Sequence, residues 1–426
     1  MRDIVLTIAV AVALTRGFKH PWVSLMVWIV MSVLNPHRYT YGFAYQMPFA
    51  LAAAAVVFIG LFITKDECRS AFNPSSNLLI ALTLWMCITT MAAFFPAPSF
   101  GMLERVIKIN LMVIIAYALI VNEKQIKIMT WVLTLSIGIL SAKGGLFTVL
   151  SGGSHRVWGP PSSFVEDNNA FALAAVMVVP LLFFLAGEQT NKYYKRGLQA
   201  MAVLSVFSAL GSQSRGALLA LSAMTIFLVL KSKNKGWLLL GLLALVPVAL
   251  MFMPESWYSR MSTVQTYDSD DSAMGRINAW HMAFNLAADR ITGGGYAVAN
   301  AYVFGLYAPN PLNPLTAHSI YFQMLGEHGW IGLLLYLSFW LYTWSSCNWV
   351  IERSRSIAEF GWVVNLARML QVSMVAFAVG GAFLSLCYFD LPYYLAVLVY
   401  ALRRYVSERL DSKARPQASP FLERSA

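Results

Sequence analysis

The chain has 426 residues, 58% of them hydrophobic and 12% charged, with a formal net charge of +11 and a mean hydropathy of +0.61. These values exclude a soluble globular enzyme and indicate an all-α polytopic membrane protein, whose length counts crossings and not soluble domains. The positive charge lies in short loops between apolar runs and in the C-terminal tail, where it serves topology better than nucleic-acid binding.

The first apolar run, "IVLTIAVAVAL", is followed by "TRGFKHP" and a further apolar run with no small-residue cleavage site, so it is expected to stay in the protein. The expected spans are 3–35 (broken near Gly17 and Pro21), 48–64, 75–96, 105–121, 128–150, 168–187, 197–212, 215–231, 236–253, 318–349, 365–389 and 391–404. That is about twelve transmembrane helices in one integral domain, 1–404, followed by a polar and disordered tail at 405–426. Cys68, Cys87, Cys347 and Cys387 show no CxxC pair and no metal-ligand spacing, so neither a disulfide framework nor a zinc site is expected.

"KDECR" (65–69), "NEKQIK" (122–127), "NKYYKR" (191–196), "KSKNK" (231–235), "IERSRS" (351–356) and the tail from Arg403 belong on the cytoplasmic side by the positive-inside rule. The outer loops are then 36–47, 97–104, 151–167, the turn at 212–215 and the long segment 254–317. They hold no lysine, yet contain Arg38, Arg156, Arg260, Arg276 and Arg290, with Arg215 at an outer turn. Charge bias alone would remove both cations. Arginine differs in its planar fork of donors, which grips phosphate bidentately. Each of these arginines either meets an anionic substrate or pairs with Glu255, Asp268, Asp270, Asp271 or Asp289.

In "SHRVWGPPSSFVEDNNAFAL" (154–173), Asn168 and Asn169 are expected to cap the next span, and Glu166 or Asp167 to contact sugar hydroxyls. Lys143, in the outer half of its span, is either a phosphate ligand or a snorkelling residue. In "GSQSRGALLALSAM" (211–224), Arg215 opens a span, so its charge adds to the positive end of the helix. The alternative use of Arg215 is snorkelling to headgroups.

The long outer segment contains a central amphipathic helix with Ile277, Trp280, Ala283, Phe284 and Ala287 on one face, expected to lie at the membrane surface with Arg276 at its start. Gly293, Gly294 and Gly295 read as a flexible loop without the strand and lysine of a nucleotide P-loop. "YDSDDS" (267–272) lacks the glycine and distal glutamate of a calcium loop and reads as a solvated turn.

In "AHSIYFQMLGEHGWIG" (317–332), one continuous helix would place His318, Tyr321, Phe322, Leu325 and Gly329 on a single stripe. Gly326, Gly329 and Gly332 would admit a neighbouring helix closely. An imidazole at the outer mouth can act as a general base, or merely anchor the helix. His328 reads as a structural polar contact, and Glu327 needs a partner inside a span.

Arg215 with Leu219 forms R-x3-L, and His318 with Gly329 forms H-x10-G. Together they resemble the paired signatures of the bacterial O-antigen ligases, within the O-antigen ligase and polymerase superfamily. "LNPHRYTYGFAYQMPFA" (34–50) and "RVWGPPSSFVEDNNAFAL" (156–173) are similar to the exosortase-associated putative O-glycosylation ligase branch. The resemblance implies a GT-C-like membrane glycosyltransferase without metal or other cofactor, in the bacterial inner membrane with its site facing the periplasm. Its donor would be a glycan on undecaprenyl diphosphate and its acceptor a sugar hydroxyl of lipid A-core. His318 would be the base, Arg215 and Arg276 would hold the diphosphate, and Arg156, Asp167, Tyr321 and Lys143 are further candidate substrate contacts. The alternatives are a polymerase, a protein O-oligosaccharyltransferase, or a transporter of lipid-linked glycans that performs no chemistry.

Overall fold

The helices begin where the sequence supplies caps. Asn73 accepts from the backbone N–H groups of Ser75 and Ser76 while the Ser76 hydroxyl returns to Asn73 N. Asn122 and Gln125 form the same reciprocal box, and Pro21, Pro74 and Pro96 stand at first helical positions, where no intrahelical donor is lost.

In the computed structural model, residues 1–231, 236, 253, 255, 257, 258 and 271–414 are described. All regular structure among them is helical. In chain order the first helices are α1 (Arg2–Gly17), α2 (Pro21–Val33), α3 (Phe49–Ile63), α4 (Pro74–Met91), α5 (Pro96–Leu119), α6 (Glu123–Leu150), α7 (Asn168–Gly187), α8 (Lys192–Gly211) and α9 (Arg215–Lys231). There follow α10 (Asp271–Asp289), α11 (Ala301–Tyr307), α12 (Ile320–Ser354), α13 (Gly361–Gly381) and α14 (Asp390–Ala414). The expected span 236–253 lies outside the described residues except at its ends, as do Arg260, Asp268 and Asp270.

The break expected within 3–35 is the turn of a helical hairpin made by α1 and α2. Asp3, at the start of α1, accepts from Gly42 N and Ala44 N at 3.0 Å, beyond the far end of α2. Four stretches are long and apolar enough to cross a membrane by length and composition: Pro74–Met91, Glu123–Leu150, Asn168–Gly187 and Ala358–Gly381. The expected count of about twelve crossings exceeds these four among the described residues. α14 continues to Ala414, past residue 404.

α7 is the hub. Its side chains are buried on nearly every side, and it packs on α6, α8, α9 and α13. A helix apolar all round belongs inside a bundle.

The loops sort to two ends. At one, His20 meets Asp66 at 2.8 Å, Arg69 meets Glu408 at 3.2 Å, and the Tyr405 hydroxyl donates to Glu123 at 2.8 Å. This end gathers the basic loops at 65–69 and 122–127. At the other end the starts of α7, α9 and α12 meet the end of α13.

Candidate functional site

Three helix starts converge where α13 ends. The Asn168 amide, on the first residue of α7, donates to Ser212 O at 2.7 Å and holds the turn between α8 and α9. The Ser214 hydroxyl then accepts from Ala217 N at 3.2 Å and caps α9. Along α13, Gly380 touches Leu173 of α7 and Ala220 of α9, while Gly381 abuts Ile320, the first residue of α12. The Tyr321 hydroxyl donates to Ala378 O at 2.9 Å and closes the same junction. Helix N-termini carry partial positive charge, so Arg215, at the head of α9, stands in a region already disposed toward anions.

The structure corrects the capping expectation. Asp167, not Asn168 or Asn169, caps α7, accepting from Asn169 N at 2.9 Å and Ala170 N at 3.2 Å. Asn168 is instead the tie to Ser212.

His318 does not lie on the helix stripe. It precedes the N-cap Ser319 and has φ +42°, a left-handed backbone that turns the chain before α12 starts. Burial, first, and the Arg276 guanidinium, second, lower its pKa below the ordinary imidazole value, while Asp167 opposes them. The imidazole is therefore held neutral and able to accept a proton, and it feels residues from α10 and from the loop before α7 at once.

α10 is clamped to α12 at two points. At its middle, the Trp280 indole donates to Ala317 O at 2.7 Å, and its ring lies flat on Phe322 at 5.0 Å and 7°. Trp280 is one turn beyond Arg276, so the two share a face. Beyond the C-terminal end of α10, Gly294 N and Gly295 N donate to Gly326 O and Glu327 O at 3.0 and 2.9 Å. Those carbonyls are available because α12 breaks at Gly329, whose φ of +66° and ψ of −170° are not helical. His328 O, freed in the same way, accepts from the Trp85 indole at 2.8 Å.

Gly329 thus fixes a kink, and the expected single stripe from 318 to 329 is replaced by a loop residue, a short helical segment and a break. The glycine segment 293–295 is correspondingly a docked element and not the flexible loop expected. Of the small residues, Gly326 admits α10 at Ala283, whereas Gly329 admits the backbone of Ile291.

The packed face of α10 matches the expected apolar face only in part. Ala279, Met282, Ala283, Leu286 and Ala287 are buried, so Ala283 and Ala287 of the expected face are packed while Phe284 is 49% exposed. The close approach at Gly326 selects the small-residue face for packing, so α10 covers protein.

Below the kink, Glu327 and His328 form a buried chain. Thr89 Oγ and the Tyr388 hydroxyl bond the two ring nitrogens of His328 at 2.6 and 2.7 Å. The Tyr388 hydroxyl donates to Glu327, which also accepts from the Gln323 amide at 3.2 Å. Glu327 has its partner, and His328 makes the polar contact expected of it.

Among the other candidates, Arg156 is exposed, with its Nε 3.5 Å from Gln213 Oε1. Lys143 lies 6.0 Å from the Tyr39 ring. Arg290 serves the fold, donating to Ala92 O at 2.6 Å and covering Phe94 at 4.0 Å. Trp280, Gly293 and Tyr388 were not singled out as site or packing residues by sequence reasoning. The i, i+4 spacing of Trp280 from Arg276 was the available signal for the first.

Residues 200–337 match the family described as O-antigen ligase. Residues 1–190 match a family of unknown function (DUF5935). No curated protein matches the chain. The first match contains Arg215, Arg276, His318 and Gly329.

Proposed function

We propose, for a chain that carries an O-antigen ligase domain at residues 200–337 and so belongs with the O-antigen ligase superfamily, a specific reaction for this membrane enzyme of the ligase and polymerase type. It transfers a glycan from undecaprenyl diphosphate to a sugar hydroxyl of lipid A-core, in the bacterial inner membrane with about twelve crossings and the site facing the periplasm. The observation that carries this reading is His318, in a half-buried loop position where burial and the Arg276 charge lower its pKa, within reach of the Asp167 charge.

The acceptor hydroxyl oxygen attacks the anomeric carbon, and its proton passes to a ring nitrogen of His318. The bond between that carbon and the carrier diphosphate breaks, and the electron pair leaves on the diphosphate. Arg276, and Arg215 at the head of α9, stabilise the departing charge, with the convergent helix starts adding their partial positive ends. Two guanidiniums in this position supply the charge stabilisation that a divalent cation supplies elsewhere, so transfer is expected to persist in EDTA.

The test incubates purified protein with the carrier-linked glycan and lipid A-core. Wild type is expected to give ligated product, and His318→Ala none while remaining folded. An elongated carrier-linked glycan would instead assign a polymerase, and transfer to a protein hydroxyl an O-oligosaccharyltransferase. Donor binding with no product from any acceptor would favour transport.

A further inference from the structure

A pocket of about 340 Å³ opens between the first turns of α10 and the segment 309–313. Met274, Ile277, Asn278 and His281 form one wall, and their i, i+3, i+4, i+7 spacing makes that wall a single helical face. Arg276 and Trp280 lie on the adjacent face, toward His318. Pro309, Asn310 and Asn313 form the opposite wall.

The walls are built and fixed. Asn278 donates through its amide to Asn310 O at 2.7 Å and accepts from Asn310 N at 2.8 Å. The Asn285 amide donates to Tyr307 O at 2.9 Å, and the Tyr307 hydroxyl donates to Asp289 at 2.6 Å, which anchors the chain entering that segment.

Among the described residues the pocket is lined by neutral polar and apolar side chains and by no Asp, Glu, Lys or Arg. Its chemistry is amide and imidazole edges beside the apolar atoms of Met274, Ile277 and Pro309. His281 Nδ1 lies 3.0 Å from Ile277 O. A carbonyl only accepts, so the proton is on Nδ1 and a neutral ring keeps Nε2 as an acceptor. Asn313 adds both donors and an acceptor. A ring that shows hydroxyls at its edge and C–H groups on its face fits these walls, and the volume, at the lower end of the range for ligand pockets, suits a short piece of glycan.

We infer that this pocket is a subsite for a neutral sugar ring of the glycan substrates, set beside the phosphate-binding and proton-accepting groups by the shared helix α10. The inference rests on the glycan-transfer reading above and locates where sugar, as distinct from diphosphate, is recognised.

The test uses the full-length protein in detergent, with His281→Ala, Asn313→Ala and the double variant. These side chains are on exposed residues outside the ties that fix the walls, and unchanged circular dichroism serves as the folding control. The probe is the glycan released from its carrier by mild acid, with affinity read by calorimetry. Each single variant is expected to weaken binding about threefold to tenfold, and the double variant tenfold or more. A double variant within twofold of wild type, or a wild type that does not bind the glycan, overturns the subsite.

In transfer assays with donor and acceptor varied separately, the double variant is expected to raise one KM and leave kcat in place. A raised donor KM places the ring on the carrier-linked glycan, and a raised acceptor KM places it on the acceptor. Unchanged KM for both overturns the inference. If wild type transfers to no acceptor, the reaction reading fails, and the binding measurement still decides the subsite.

Discussion

Gly329→Ala is the sharpest perturbation of the clamp that holds α10 on α12. The φ of +66° and ψ of −170° at this residue are in a region essentially reserved for glycine, and a side chain there costs roughly 1–3 kcal/mol. The added Cβ would also stand 2.2 Å from Ile291 O and 3.1 Å from Gly293 N. Both contacts are backbone, so relief requires the 291–295 segment to withdraw. Withdrawal gives up the bonds from Gly294 N and Gly295 N to Gly326 O and Glu327 O, at about 1 kcal/mol each. The total is about 3–5 kcal/mol, more than a hundredfold in a local opening equilibrium. Hydrogen exchange by mass spectrometry on a peptide covering 291–296 should show that acceleration, together with a lower melting temperature in detergent. Gly326→Ala is the control: its Cβ approaches Ala283 Cβ at 3.1 Å, with Ala283 Cα and Val298 Cγ2 at 3.5 and 3.8 Å, and its effect should be clearly smaller. Wild-type exchange at 291–296 in Gly329→Ala would refute the account of the kink as a backbone-contact lock.

His318 must be neutral to accept a proton, and its pKa lies below the ordinary imidazole value, so kcat/KM should fall only as pH drops through that lowered value. Arg276→Gln removes a cation that lowers it and should move the acid limb to higher pH, besides weakening donor binding. Asp167→Asn removes an opposing charge and should move the limb to lower pH; a pH profile unmoved by both would exclude His318 as the titrating group. Trp280→Phe keeps the ring on Phe322 but loses the donor to Ala317 O, so kcat should fall severalfold with little change in KM and wild-type melting within about 1 kcal/mol. Asn168→Ala leaves Ser212 O without its amide partner and should destabilise by about 1–3 kcal/mol in detergent unfolding, with Arg215 affected through the turn it follows.

Much of the helix inventory was legible because it depends on local terms. The length of the apolar runs put α7 and α9 at 168–187 and 215–231 in both the expectation and the structure. The site was legible only as residue types. Arginine without lysine in the outer loops, and a histidine before a glycine-rich helix, were visible, but the face each presents was not. The expected helical stripe through His318 and Gly329 failed because a 100° rotation assumes an unbroken helix. Nothing local to 317–332 states that Ile291 and Gly293 will press on its backbone. The packed face of α10 was legible only in part for a related reason: periodicity marks an apolar face, while Gly326, some forty residues on, decides which side chains of it are packed.

The sequence by itself determined that this is a helical, membrane-type chain with basic loops sorted from arginine-bearing ones, because hydrophobic runs, caps and charge act over a few neighbouring residues. Only the tertiary structure decided that Asp167, Arg276 and His318 share one electrostatic neighbourhood, that Trp280 ties two of them together, and that Gly329 is a kink. Those outcomes depend on backbone carbonyls and small residues meeting across long separations, and such contacts are fixed only when the helices pack.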